Sequence, residues 1–124
     1  FVKGILKEMP VFINGDGAQT RDFTFVDNAV QVNIKGMLSD NAEALSKVYN
    51  VAVGENFSIN YLYNACASYL KSDFSATYRE PRAGDIRDSL ADISLAKKLL
   101  DYKPGKRFEE GLEETIAFFK QKYS

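Results

Sequence analysis

The sequence predicts an α/β fold, in which helices follow short strands. Stretches with apolar residues every three or four positions are typical of amphipathic helices. They follow short apolar or alternating stretches that are typical of strands. The predicted order along the chain is α, β, β, α, β, α, β, α, α. This mixture of elements excludes an all-α bundle, and 124 residues is the length of one ordinary domain.

The first elements are a helix and two short strands. A helix is predicted over residues 1–8, and Pro10 ends it. An apolar strand follows at residues 11–13, and then a turn at residues 14–17, whose glycines permit the positive φ of a tight turn. Residues 23–26, Phe-Thr-Phe-Val, alternate apolar and polar side chains, which predicts a half-buried strand.

The middle of the chain is predicted to form a helix and a buried strand. Asp27 suits the N-cap of the helix, whose apolar side chains fall on one face. Residues 48–53 are nearly all apolar and end at Gly54, a pattern typical of a strand buried on both faces of a parallel sheet. The apolar face of the predicted helix consists of Val30, Ile34, Met37 and Leu38.

The next predicted elements are a capped helix, a strand and a loop. Ser58 suits an N-cap, residues 75–79 are predicted to form a strand, and the Pro, Gly and charged residues of 81–89 indicate a loop. The apolar stripe of the helix includes Ile59, Leu62, Tyr63, Cys66, Tyr69 and Leu70.

Two helices complete the predicted fold. Asp92 caps a short helix that ends near Leu100, and a Pro-Gly pair at residues 104–105 breaks the chain. The last helix begins near Phe108, and its apolar stripe consists of Phe108, Leu112, Ile116, Phe119 and Tyr123.

Composition excludes several kinds of function. The formal net charge of −1 gives no reason to expect a nucleic acid or an anionic membrane as partner, and no apolar run reaches the roughly 20 residues of a membrane span. No histidine is present, which removes the usual general base and the usual zinc ligand. The single cysteine, Cys66, excludes an internal disulfide and is expected to be a core residue, which fits a reducing, cytoplasmic setting.

Two arginines stand where binding groups usually lie. Arg21 precedes a predicted strand, and Arg82 lies in the loop before Asp85. A guanidinium pairs bidentately with phosphate oxygens and stays charged, and the carboxylate could orient it or accept from a ribose hydroxyl. Taken alone, such arginines are more often surface salt-bridge residues, and composition and spacing do not decide between these interpretations.

Five motifs, taken in order, resemble a known family. They are Gly-Asp-Gly-Ala-Gln-Thr-Arg-Asp-Phe (15–23), Val-Asp (26–27), Tyr-Asn-Val-Ala-Val-Gly (49–54), Arg-Ala-Gly-Asp-Ile-Arg (82–87) and Ala-Asp-Ile-Ser-Leu-Ala-Lys-Lys-Leu-Leu (91–100). The series resembles the C-terminal, substrate-binding portion of the Rossmann-type extended short-chain dehydrogenase/reductases that act on nucleotide sugars. It is most similar to the UDP-glucose 4-epimerases, and among them to bacterial UDP-N-acetylglucosamine 4-epimerases of surface-polysaccharide synthesis.

The resemblance implies a diphosphate clamp. The arginines of the Arg-Asp-Phe and Arg-x-Gly-Asp motifs contact the diphosphate in such enzymes, which implies this role for Arg21 and Arg82. The aspartate of the second motif, Asp85, contacts the ribose or supports the clamp. The substrate implied is a UDP-sugar.

The resemblance also implies where the uracil and the sugar lie. The strand before the Gly-Asp-Gly turn runs along the uracil, which points to Phe12, Ile13 and Asn14, with the backbone doing part of the recognition. The side chains of Phe12 and Ile13 could equally fill the core. Ser89 matches a position beside the hexose, where a small side chain leaves room for an N-acetyl group. This favours an N-acetylhexosamine or its uronic acid, although an ordinary loop serine is the alternative.

Parts of the family's machinery are missing from this sequence. Family members bind NAD through a Gly-x-x-Gly-x-x-Gly loop and use a Tyr-x-x-x-Lys pair as base, and neither pattern occurs here. Because the chain starts at Phe1 within a predicted helix, we expect residues 1–124 to be one domain cut from a longer protein. The NAD-binding Rossmann domain and the catalytic pair would lie upstream, and the parent is expected to be a homodimer built by that upstream domain.

Two alternatives stay open at this point. The same segment occurs in nucleotide-sugar 4,6-dehydratases and decarboxylases, which share the arginine motifs. The chain could also be a non-enzymatic α/β binding module that retains the motifs as structural remnants.

Overall fold

The order of helices and strands is the predicted one, which confirms the mixed α/β class. The computed structural model describes residues 1–123. A 3-10 turn at Ala42–Ala44 is the one addition to the predicted order in this part of the chain. The elements are α1 (Val2–Leu6), β1 (Phe12–Asn14), β2 (Thr20–Arg21), α2 (Val26–Met37), β3 (Phe57–Ser58), α3 (Ile59–Leu70), β4 (Thr77–Arg79), α4 (Ser94–Leu100) and α5 (Phe108–Tyr123).

The chain divides into two units. The first unit comprises Phe1–Arg21, Phe57–Ser89 and residues 112–123, and it holds all four strands. The second unit comprises Asp22–Asn56 and Leu90–Gly111, and it holds α2 and α4.

The first unit is built on two small strand pairs. β1 runs parallel to β4, with Asn14 opposite Arg79, and β2 runs antiparallel to β3. Ser58 caps α3 as predicted, because its hydroxyl accepts from the backbone N–H of Tyr61 at 3.0 Å. Cys66 is buried on α3, and burial raises the pKa of its thiol. This confirms that it packs in the core, since a nucleophile would need the thiolate.

The second unit has a small apolar core. Its largest buried side chain, Tyr102, donates its hydroxyl to the carbonyl of Ala52 at 2.8 Å, which satisfies the polar tip inside the core. Asp92 accepts from the N–H of Ser94 at 2.8 Å, which lowers the pKa of Asp92. It is not the predicted N-cap, because α4 begins at Ser94 and its N-cap position is Ile93. The core consists of Val32, Ala44, Ala52, Ile93, Ala96, Leu99, Leu100 and Tyr102.

Two predicted strands are wrong in position. Residues 22–25 are irregular and α2 starts at Val26, so the second strand lies at Thr20–Arg21. Residues 48–53 form no strand, and β3 follows them at Phe57–Ser58. The reason is that the end of this segment bonds to a side chain instead of a strand. The backbone N–H groups of Val53 and Gly54 donate to the carboxylate of Asp22, at 3.1 and 3.0 Å, and not to a neighbouring strand.

The predicted inner face of α2 is also wrong. Val30 and Ile34 are exposed, and so are Met37 at 77% and Leu38 at 69%. The helix instead buries Asn28 and Val32, which are four residues apart and therefore lie on another face. Asp27 is not the N-cap, because the helix begins one residue before it.

Candidate functional site

The described part of the first unit contains an open cavity of about 470 Å³ between the ends of β1 and β4 and the loop that follows β4. Four of the chain's five arginines belong to this unit, and three of them line the cavity. Such a concentration of guanidinium groups suits an anionic ligand. The lining consists of Asn14, Gly15, Asp16, Gln19, Arg79, Glu80, Pro81, Arg82, Asp85, Ile86 and Arg87.

One wall is the glycine turn after β1. Gly15 and Gly17 both have φ of 72°, as the sequence predicted. A Cβ at Gly17 would lie 1.9 Å from the side-chain oxygen of Asn60, so no other residue fits there without a shift. Between them, Asp16 accepts from the backbone N–H of Ala18 at 2.9 Å, and this bond lowers the pKa of its carboxyl. The turn therefore holds a carboxylate at the cavity edge.

The opposite wall is the turn formed by residues 82–85. The N–H of Asp85 donates to the carbonyl of Arg82 at 3.1 Å, and Gly84, the third residue, has φ of 78°. A turn with positive φ at this position favours glycine, which explains the residue types of the Arg-x-Gly-Asp motif. The turn places Arg82 and Asp85 at its two ends, where both side chains line the cavity.

Arg21 reaches the cavity wall through Asp85. Its guanidinium donates to the Asp85 carboxylate at 2.5 Å and to the carbonyl of Thr20 at 2.6 Å. It lies on β2 and not ahead of the strand, which corrects the sequence-based placement. The structure thus joins Arg21, Asp85 and Arg82 in one chain of contacts, although Arg21 itself is not among the residues that line the cavity.

The arginines of the cavity differ in whether they have partners. Arg87 pairs with Asp16 at 3.1 Å, and Arg79 donates to the side chain of Asn14 at 2.6 Å. The side chain of Arg82 makes no hydrogen bond or ion pair with residues 1–123. It is therefore the lining arginine whose full set of donors is available to a ligand.

The predicted uracil-binding strand divides between the core and the surface. Ile13 is 1% exposed, so its side chain fills the core and only its backbone could contact a ligand. Asn14 lines the cavity. Phe12 is 46% exposed and does not line the cavity, but its ring lies 4.9 Å from the guanidinium carbon of Arg79.

Ser89 lies beside β2, outside the cavity lining. Its backbone N–H donates to the carbonyl of Thr20 at 3.2 Å, and the loop around it forms a single parallel bridge with the same strand. The half-buried side chain is close in sequence to the cavity residues 85–87 but is not among them.

Sequence reasoning missed four charged residues of the cavity, Asp16, Arg79, Glu80 and Arg87. Arg79 and Arg87 flank the Arg-x-Gly-Asp motif, and Asp16 lies inside the glycine turn. The proximity of Arg79 to the motif was a usable signal. Its position beside Asn14, however, depends on the parallel register of β1 and β4, which local sequence does not specify.

The cavity offers guanidinium donors that suit an anion, and two described turns that lead into helices lack the glycine loop of a dinucleotide site. β3 passes directly into α3 through Phe57, Ser58 and Ile59, without a glycine loop at the turn where a pyrophosphate would meet backbone N–H groups. The turn before α2 also lacks glycine. Residues 1–123 likewise contain no group of three or more His, Cys, Asp or Glu side chains placed to hold a metal ion.

Comparison with known proteins identifies the family. A family model described as GDP-mannose 4,6 dehydratase matches residues 1–115. The chain belongs to this family. The fold of this family member matches the C-terminal portion of short-chain dehydrogenase/reductase-type epimerases, which confirms the resemblance inferred from the motifs.

The chain is similar to three nucleotide-sugar epimerases of known name. A UDP-glucuronate 4-epimerase from Thermodesulfobacterium geofontis is 34% identical, over 98% of this chain and 36% of its own length. The structure of a UDP-N-acetylglucosamine 4-epimerase from Methanobrevibacter ruminantium with UDP-N-acetylmuramic acid is 38% identical, with a TM-score of 0.88, over 98% of this chain and 38% of that one. A Bacillus cereus UDP-glucuronic acid 4-epimerase with UDP-glucuronic acid and NAD is 29% identical, with a TM-score of 0.91 and the same coverages.

The chain spans little more than a third of the length of these relatives. The family description and the names of the relatives differ in nucleotide and in reaction type, so family membership alone does not fix the substrate. No helix within residues 1–123 combines the length and the apolar character that crossing a membrane requires.

Proposed function

We propose that residues 1–124 are the C-terminal substrate-binding domain of a nucleotide-sugar 4-epimerase and bind a UDP-hexose or UDP-N-acetylhexosamine. The observation that carries this proposal is the arginine cavity of the first unit, in which the Arg82 side chain lines a ligand-sized space and has no polar partner among residues 1–123. A nucleotide sugar carries a diphosphate with two negative charges, and guanidinium donors match its oxygens in pairs.

Arg21 would complete the clamp with the donors that it does not use. A guanidinium has five N–H donors, and within residues 1–123 two of those of Arg21 have partners, in Thr20 and Asp85. Asp85 offsets part of its charge and fixes its orientation. In this arrangement Arg82 supplies most of the attraction for the diphosphate. Arg21, held in place by Asp85, orients the diphosphate.

The choice of sugar is argued from Ser89 and from the similarity to one relative. Ser89 is small and follows the cavity residues 85–87 along the loop, so it would leave room for an N-acetyl group. An N-acetylhexosamine or its uronic acid is therefore the preferred sugar. The 38% identity to a UDP-N-acetylglucosamine 4-epimerase supports the same choice.

The redox chemistry would be carried out outside this chain. The Bacillus cereus relative holds NAD, and we propose that the longer parent also uses it, bound by a Rossmann domain. NAD would take a hydride from C4 of the sugar and return it to the other face. This chain would bind and orient the substrate. A cytoplasmic location and a homodimeric parent stay predictions.

A second candidate is the same segment of a nucleotide-sugar 4,6-dehydratase or decarboxylase. The family model that matches the chain is described as a GDP-mannose 4,6 dehydratase, and this description favours the second candidate. The neighbourhood of the Tyr-x-x-x-Lys pair in the parent would distinguish these reactions. A coding sequence that lacks both this pair and the glycine loop would instead favour the binding-module alternative.

The proposal can be tested by titrating the chain with UDP and with uridine, using calorimetry or NMR. If the arginine cavity binds the diphosphate, UDP should bind more tightly by about tenfold or more, since charge-assisted hydrogen bonds contribute roughly 1.5–3 kcal/mol. Binding is expected to weaken as salt is added, because the cavity is open and exposed charges are screened. Equal affinities for UDP and uridine would contradict the proposal.

A further inference from the structure

One face of α2 is apolar and exposed. Large apolar residues recur every three or four positions between residues 26 and 38, so their side chains lie on one side of the helix. The buried residues of the helix, Asn28 and Val32, lie on another side and hold it to the second unit. The α2 apolar face therefore contributes little to the packing of its own unit. It consists of five exposed side chains: Val26, Val30, Ile34, Met37 and Leu38.

An open groove of about 420 Å³ adjoins the α2 apolar face. Ile34 and Leu38 of the face line it together with Leu99 and Leu100 of α4. Two lysines and two aspartates also line it, so the groove carries no net charge that would favour a nucleotide or an anionic membrane. Exposed apolar side chains in one patch, with charges of both signs beside them, are typical of a surface that another part of a protein covers.

Residues 48–52 lie in the same unit and have an unpaired backbone. Within residues 1–123, their N–H and C=O groups form no hydrogen bond with another backbone group, and Val48 is exposed. Backbone groups are normally paired, and a run of apolar residues such as this one is typical of a strand inside a parallel sheet. The segment therefore has the composition and the free backbone of a strand, but it has no neighbouring strand.

We propose that the part of the parent protein that precedes residue 1 docks on the second unit through the edge of a parallel β-sheet. This docking rests on the proposed function, in which the chain is one domain of a longer parent. In the docked state residues 48–52 add a strand to that sheet, and the α2 apolar face packs on the sheet, as helices do on both faces of parallel sheets. One sheet edge thus covers both exposed features of the unit.

The choice of this occupant follows from the size of the relatives. The chain matches the C-terminal portion of epimerases and spans little more than a third of their length, so the greater part of these proteins precedes the matched segment. A domain on the same chain has an effective concentration of about millimolar. It therefore outcompetes a second copy of the chain that is present at micromolar concentration.

Hydrogen exchange of the backbone tests the docking in two proteins, residues 1–124 alone and the full-length parent. The amides of residues 48–52 should exchange at least about tenfold more slowly in the parent, because pairing with a neighbouring strand protects them. Mass spectrometry of peptides that cover this segment, at micromolar protein, measures both rates. Equal rates in the two proteins would overturn the proposal. So would slow exchange in the chain alone that depends on its concentration, since a second copy would then occupy the surface.

A charged variant of α2 tests the apolar face itself. Met37→Glu should lower the melting temperature of the parent by at least about 3 °C, because it places a charge in a covered surface, and that of the chain alone by less than about 1 °C. The matched control Lys97→Glu, at an exposed position of α4, should leave both proteins unchanged. An effect of equal size on chain and parent would contradict docking through this face. If the Met37 variant of the parent does not fold, the exchange rates of the wild-type proteins decide the question.

These outcomes are separable from those that test the proposed function. If Arg82→Ala weakens UDP binding while residues 48–52 exchange equally fast in both proteins, the diphosphate site stands and the docking is wrong. If residues 48–52 are protected in the parent while Arg82→Ala leaves UDP binding unchanged, the docking stands and the proposed function fails.

Discussion

The two units of the chain expose different chemistry. The first unit surrounds its cavity with charged side chains, most of them paired, as in Arg87 with Asp16 and Arg21 with Asp85. The second unit buries a polar residue, Asn28, and leaves the apolar face of α2 in solvent. Binding groups are thus concentrated in the first unit, whereas the second unit shows how little an apolar pattern alone says about burial.

Helix α2 illustrates that lesson in detail. Asn28 donates to the carbonyl of Lys106 at 2.7 Å and accepts from the N–H groups of Gly105 and Lys106 at 2.8 and 3.1 Å. These bonds satisfy a buried amide and hold the face with Val32 inward. The more apolar face is therefore not the buried one.

The contrast between the two faces of the second unit predicts a large difference in stability. Leu100→Ala should lower the free energy of unfolding by about 2–5 kcal/mol, because it opens a cavity in the core. The control, Leu38→Ala on the exposed face, should change it by no more than about 0.5 kcal/mol. Urea unfolding followed by circular dichroism measures both. Similar losses in the two variants would mean that the exposed face is packed in solution.

The buried Asn28 of α2 should contribute less to the free energy of unfolding than Leu100 in the apolar core, but more than a surface residue. Asn28→Ala is expected to cost about 1–3 kcal/mol of unfolding free energy, since it leaves buried backbone groups without partners. Asn33→Ala is the matched control, because its amide only donates to the Ala29 carbonyl on the exposed side of the same helix. An equal cost for the two variants would contradict the role given to Asn28.

The smallest effect concerns sugar selection by the first unit. Ser89→Tyr should weaken the binding of UDP-N-acetylglucosamine several-fold more than that of UDP-glucose, about 1 kcal/mol of difference, because the bulky ring would take the room of the N-acetyl group. Ser75→Tyr, at an exposed position of the same unit, controls for the added ring. The measurement is the ratio of the two affinities by calorimetry. An unchanged ratio in Ser89→Tyr would remove the argument for sugar choice.

Much of this fold was predictable from local sequence, whereas the pairing of strands was not. The helices α2, α3 and α5 follow from apolar spacing, although α2 buries another face than the predicted one, and the Ser58 cap follows from its side-chain chemistry. The strand predicted over residues 48–53 failed because a strand exists only with a partner, and Asp22 took the N–H groups of Val53 and Gly54 instead. As a result Val48, which was predicted to lie in a buried strand, is 91% exposed.

The candidate site was predictable where a motif is local. The Arg82–Asp85 turn and the glycine turn follow from their own residues, because positive φ favours glycine. The pairing of Arg79 with Asn14 spans 65 positions in sequence, and that of Arg87 with Asp16 spans 71. Contacts of this range depend on strand register and loop packing, which is why these two pairings were found only in the structure.

The role of the arginine cavity is tested most directly by the UDP affinity of single arginine variants. Arg82→Ala and Arg21→Ala should each weaken UDP binding by about 1.5–3 kcal/mol, with the larger loss for Arg82, whose donors have no protein partner. Arg107→Ala, which removes the only arginine outside the first unit, is the control and should leave the affinity unchanged. UDP affinities equal to wild type within error in both cavity variants would contradict the clamp.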